Sequence, residues 1–111
     1  MREPTFLILT ALAGPPLHGY GVLRQVAQLS GDRVKLSAGT LYAALDRLAE
    51  DGLIEVDRED TVEGRVRRYY RLTPAGGTAL RAEVARLRDN AEVASARLAG
   101  WTPRPRPVPG T

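Results

Sequence analysis

Two short stretches hold most of the side chains able to grip an anion. Ser37-Ala38-Gly39-Thr40-Leu41-Tyr42 places three hydroxyl groups and a glycine within six residues. Arg65-Val66-Arg67-Arg68-Tyr69-Tyr70-Arg71 places four guanidinium groups within seven. Hydroxyls and guanidiniums donate hydrogen bonds to phosphate oxygens and base edges, and glycine admits close approach of backbone to a surface. The chemistry this set allows is recognition of a polyanion such as duplex DNA. Lys35 and Arg33, just upstream of the first stretch, and His18 and Tyr20 are weaker donors of the same kind.

Each of these residues has a plainer alternative. Ser37 caps a helix, Tyr42 packs beside Leu41, His18 caps the helix that follows it, and Tyr20 enters the core. The arginines pair across a hairpin: in a simple register Glu55 faces Arg71 and Glu59 faces Arg67, leaving Arg65 and Arg68 without an acidic partner. Exposed pairs contribute about 0.2–1 kcal/mol, too little to account for four arginines. Arg65 and Arg68, then Arg67, are therefore expected to contact phosphates. The glycine-bearing stretch has no Arg, Asn or Gln in its first two turns, the residues that best read base edges in pairs of hydrogen bonds. Part of any sequence readout is then expected from DNA shape.

Other chemistries find little support. The chain has no cysteine, which excludes disulfides, thiol catalysis and Cys-based metal sites. Its single histidine has no ligand-spaced neighbours, and there is no Ser-His-Asp arrangement and no phosphate-cradling glycine loop. Neither an enzyme nor a cofactor is expected. The net charge of +3 arises from 16 basic and 13 acidic residues, so where the charge is placed matters more than its total. The apolar run Phe6–Gly14 is too short to cross a bilayer and meets Pro15-Pro16, and it lacks the flanks of a secretory leader. A cytoplasmic protein with no membrane partner is expected.

The elements that must position the two stretches follow from periodicity. Pro4 opens a helix reaching about Ala13 that is apolar on nearly every side and should be buried all round. A second helix runs from His18-Gly19-Tyr20 to Leu29, with Val22, Leu23, Val26 and Leu29 inward. Arg33–Leu36 is an extended link. Ser37 caps a third helix whose Leu41, Leu45 and Leu48 share one face, flanked by Ala38 and Ala44, and Gly52 ends it. A hairpin follows, turning at Asp60–Gly64, with Val66, Tyr70 and Leu72 alternating against Arg65, Arg67, Tyr69 and Arg71. Thr73-Pro74 opens a long helix whose Leu80, Val84, Leu87, Ala91, Ala94 and Leu98 are spaced 4, 3, 4, 3, 4, a heptad seam. The closing Trp101–Thr111 segment is Pro-rich and reads as polyproline II or disorder.

The fold class is thus mostly α with a β-ribbon (α+β), a winged helix-turn-helix with a long C-terminal dimerisation helix. Residues 1–73 form the DNA-binding unit, 74–99 the dimerisation helix and 100–111 the tail. The motifs HGY (18–20), GTLYAALDRLAEDGLI (39–54) and GRVRRYYRLTPAG (64–76), in that order, resemble the PadR family of bacterial transcriptional regulators, and the likeness covers roughly residues 5–98. With one C-terminal helix the chain looks like the smaller subfamily. The resemblance implies a homodimeric repressor on a near-palindromic operator, often released by a small-molecule effector. Two departures stand out: Ala43 replaces a proline common in the family, and Asp57-Arg58-Glu59-Asp60 is unusually acidic for a phosphate-facing wing. Trp101 is weighed as an effector contact at the dimer interface against an anchor for the tail. The alternative function is a winged-helix module that binds protein and leaves DNA alone.

Overall fold

The computed structural model describes residues 1–105, 107, 109 and 110. Helix α1 (Glu3–Leu12) begins with Pro4 in its first turn and buries Leu7, Ile8, Leu9, Ala11 and Leu12. Helix α2 (Gly19–Leu29) buries Val22 and Val26 completely, with Leu23 packed at the core margin. Leu29, expected inside, is 48% exposed because α2 ends there and the chain turns away through Gly31 and Asp32, both in left-handed backbone. Helix α3 (Ala38–Glu50) buries Leu41, Ala44, Leu45 and Leu48 as its spacing predicts, whereas Ala38 lies exposed at its first turn. Gly52 (φ +74°) closes α3: its N–H reaches Ala49 O at 3.1 Å and the Leu53 N–H reaches Leu48 O at 3.0 Å, the Schellman pairing.

Strands β2 (Ile54–Val62) and β3 (Arg65–Leu72) form the ribbon, and a short strand the sequence did not reveal, β1 (Leu17–His18), pairs with the other side of β3. The antiparallel order is β1-β3-β2. Two residues after a double proline carry no alternation to read, so β1 is visible only once β3 is in place. The ribbon is also longer than expected. The strands run on to a two-residue turn, Glu63-Gly64, with φ of +51° and +77°, the pair of left-handed residues that a type I′ hairpin requires. Between Val56 and Arg58 the register slips at Asp57, a β-bulge. Glu55 therefore faces Arg71 as expected, but beyond the bulge Glu59 faces Arg68 and Asp60 faces Arg67. Val66, expected inward, is 65% exposed because it lies beyond the reach of the helices.

The core is aliphatic, with Tyr70 as its one well-buried aromatic ring. Helix α4 (Pro74–Ala99) starts from a capped turn: Thr73 Oγ1 accepts the Gly76 N–H at 3.0 Å and donates to Gly52 O at 2.6 Å. Gly76 rests directly on the Leu53 carbonyl, and a β-carbon there would stand 2.9 Å from the Leu53 carbonyl carbon and closer still to its oxygen. At 1.5 Å per residue, the 26 residues of α4 reach about 39 Å. Its opening turns pack on the domain, where Leu80 joins the core margin, so that end of the heptad seam is partly covered within the chain. Glu83, 7% exposed, takes two hydrogen bonds from Arg86 (2.5 and 2.9 Å) and faces the Met1 amino group at 3.4 Å. Farther along, Leu87, Ala91, Ala94 and Leu98 are all exposed. Trp101 is 62% exposed. Trp101–Pro105 has no regular structure; the polyproline expectation for Arg106, Val108 and Thr111 lies outside the described residues.

Candidate nucleic-acid interface

The start of α3 is an ordered donor site. Ser37 Oγ accepts the Thr40 N–H at 3.1 Å, which caps the helix, and its hydroxyl donates to Thr40 Oγ1 at 2.9 Å. The Ser37 proton is thereby used, and the Thr40 hydroxyl, as acceptor, keeps its own proton for an outside partner. Gly39 follows from no internal demand: its backbone is helical, and a β-carbon would meet nothing within 4 Å. A glycine there forgoes helix stability without relieving any contact in the protomer. Lys35 is exposed just upstream.

Tyr42, half exposed, leans from α3 across the start of α2, and its ring occupies the space above Gly19. Gly19 is a residue that sequence reasoning passed over; its signal is a glycine directly after a capping residue. His18 caps α2 through Nδ1, which accepts the Gly21 N–H at 3.2 Å. That bond fixes the neutral tautomer with the proton on Nε2. Burial, and then the charges of Arg67 and Arg24, push the His18 pKa below its ordinary value, in keeping with an imidazole held neutral. Its ring meets Tyr69 edge-on at 5.4 Å. Tyr20 is exposed, with Arg24 5.9 Å from its ring centre.

On the wing the arginines divide. Among the described residues Arg65 and Arg67 have no carboxylate within 4.0 Å. Arg71 is held by Glu55 at 2.9 Å and Asp57 at 3.0 Å, and Arg58 by Asp60 at 3.3 Å and Asp57 at 3.4 Å while it lies over the Tyr69 ring at 3.9 Å. Arg68, expected to be unpartnered, is bonded through Nε to Glu59 at 3.1 Å. The bulge at Asp57 is the cause, since it moves Glu59 one position along β3.

An open groove of about 900 Å³ lies between the wing and the α2–α3 corner. It brings together His18, Tyr20 and Tyr42 with Arg65, Arg67 and Arg68, along with two carboxylates, Asp46 and Glu63. Lys35, Ser37, Gly39 and Thr40 are outside its lining, at the exposed tip of α3. The α4 seam and Trp101 have no part in it. Hydroxyl and guanidinium donors around a wide, polar cleft suit an extended anion better than a small molecule.

Comparison with known proteins shows the family and the fold. The family model described as the Transcriptional regulator PadR-like family matches residues 8–82. Transcriptional regulator Rv3488 of Mycobacterium tuberculosis is 44% identical over 73 residues, which are 66% of this chain and 64% of that protein. The chain spans less than two thirds of the length of the curated relatives it matches. A PadR family transcription regulator from Clostridium difficile R20291 superposes with a TM-score of 0.73 at 27% identity, covering 87% of this chain and 99% of that one. Bacillus subtilis PadR, solved in complex with operator DNA, superposes over 100% of this chain and 52% of that one with a TM-score of 0.68. At 21% identity, that likeness is one of fold.

Proposed function

Since the chain belongs to the PadR-like family of transcriptional regulators, a family of regulators and not of enzymes, we propose that it is a dimeric repressor that seats the start of α3 in the major groove of a near-palindromic operator and lays the wing along the flanking backbone. The observation that carries this reading is the single groove in which Tyr42 and the wing arginines meet. The N-terminal residues of a recognition helix are those that reach base edges. Ser37, Gly39 and Thr40, exposed at the tip of α3, are assigned to that contact, with Lys35, His18, Tyr20, Tyr42, Arg65, Arg67 and Arg68 on phosphates.

The dimer in this proposal is built on α4, residues 74–99. Its outer seam of Leu87, Ala91, Ala94 and Leu98 is exposed, and the two alanines admit a close helix partner. Leu80 and Val84 belong to the same seam at its inner end. Residues 1–73 are the DNA-binding unit and 100–111 a tail. Release by a small-molecule effector completes the proposal, with Trp101 at the end of α4 as the candidate contact.

Mobility shift and footprinting on the DNA beside its own gene test this directly. A protected, roughly symmetric site, bound less tightly as salt rises, is the expected result. A second reading, a winged-helix module that binds protein, is favoured by Asp57, Glu59 and Asp60, which neutralise part of the wing. Unchanged mobility of every duplex at low salt would overturn the first reading and leave the second.

A further inference from the structure

We propose that Glu59 is an affinity-determining residue of this interface: it competes with phosphate for Arg68, and so holds operator binding below what the wing can supply. The proposal rests on the reading of the groove as a DNA interface and adds how its strength is set.

Arg68 is placed unlike the other wing arginines. Side chains alternate along a strand, so Arg68 shares the face of Tyr70, which is buried against the helices, while Arg65, Arg67 and Arg71 share the opposite face. Arg68 is therefore the wing arginine on the face of Tyr70, and it lines the groove with Tyr42 and Asp46, as Arg65 and Arg67 also do. Its guanidinium is engaged before any DNA arrives, through the 3.1 Å bond from Nε to Glu59. Without the bulge at Asp57, Glu59 would face Arg67 instead. The register slip thus matches the acid to the one groove-lining arginine that shares the strand face of Tyr70.

A phosphate can take Arg68 only by displacing Glu59, and it must then lie beside the carboxylate it has displaced. Both effects oppose binding, and neither depends on base sequence. A regulator has to leave its site as well as find it, and a built-in competitor for one phosphate contact shortens the residence of the complex. Both side chains are more than half exposed, so exchanging the partner needs no rearrangement of the core.

The experiment uses the full chain on a duplex carrying the DNA beside its own gene, with a random-sequence duplex in parallel. Glu59→Gln keeps the size and removes the charge. Its affinity for the first duplex is expected to rise roughly two- to fivefold, the scale set by an exposed ion pair. In an Arg68→Ala background the same substitution should change affinity less than about twofold, since coupled residues act non-additively. No gain from Glu59→Gln alone would overturn the proposal, as would an equal gain with and without Arg68, which marks simple charge removal. If the unsubstituted protein shifts neither duplex, the groove reading fails and takes this proposal with it; if it binds and the cycle shows no coupling, only the proposal fails.

Discussion

The hydroxyl oxygen of Tyr42 stands 2.5 Å from the position a β-carbon would take on Gly19. The missing side chain at the head of α2 is therefore the seat of an α3 tyrosine, and the two helices of the motif are keyed together at the groove. Gly19→Ala is expected to swing the Tyr42 ring outward, since the atoms it meets are the far end of a side chain. Stability should change by less than about 1 kcal/mol, while operator affinity drops several-fold. In a Tyr42→Ala background the alanine at 19 should cost almost no further affinity; titrations of the four proteins check this.

Gly76 offers the opposite case. What its β-carbon would strike is the Leu53 backbone, which cannot step aside as a ring can. Gly76→Ala is expected to cost at least about 1–3 kcal/mol by overpacking, read as a lower midpoint in urea unfolding. A midpoint equal to that of the unsubstituted protein would contradict the close approach of α4 to the end of α3.

Arg65 and Arg67 are the β3 arginines with no carboxylate within 4.0 Å among the described residues. Replacing both with alanine should weaken binding to all duplexes alike. The slope of log affinity against log salt should become shallower by about 1.8, because each phosphate that an arginine neutralises adds about 0.9 to it. An unaltered slope would remove the wing from the interface.

Leu87 lies exposed in the α4 seam, 41% accessible in the single protomer. Leu87→Asp is expected to give folded monomers that lose most operator affinity, because each half-site then has to bind on its own. Sedimentation velocity decides: an intact dimer at micromolar concentration rules out the seam as the interface.

The hydrogen bonds from Arg86, then the positive charges of Arg86 and the Met1 amino group, hold the Glu83 carboxyl at a pKa of about 2, against 4.5 for the free group. A carboxyl whose pKa is depressed by folding adds stability above its unfolded value and loses it as pH falls toward the folded one. Glu83→Gln should therefore destabilise the protein at neutral pH. The difference from the unsubstituted protein should shrink between about pH 4.5 and 2, measured by denaturant titration at each pH.

The helical half of the fold was legible because its determinants are local. Leu41, Leu45 and Leu48 state their face by spacing, and Ser37, Thr73 and Gly52 state the ends by capping chemistry. The ribbon was legible only up to Asp57, whose bulge has no composition cue, and every pairing beyond it moved by one. That is why Arg68 gained an acid that a regular register assigns to Arg67. The acidic run before the turn also hid strand residues, because Asp60 looks like a turn residue until Glu63-Gly64 shows where the chain reverses. Strand β1, the seat for Tyr42 at Gly19 and the partial cover over the inner end of the α4 seam depend on distant partners, so no local pattern announces them.

The joint at Gly76 has a consequence for how two copies would be spaced on the proposed operator. Thr73 stitches the head of α4 to Gly52, and Gly76 sits against Leu53, so the arm leaves the last turn of α3 with no slack between them. If two such arms clasp each other, the gap between the paired probes is set as in a caliper with a riveted hinge. A binding site lengthened by one base pair would turn one half away from its probe by about a tenth of a helical turn, and such a joint has little give with which to follow it.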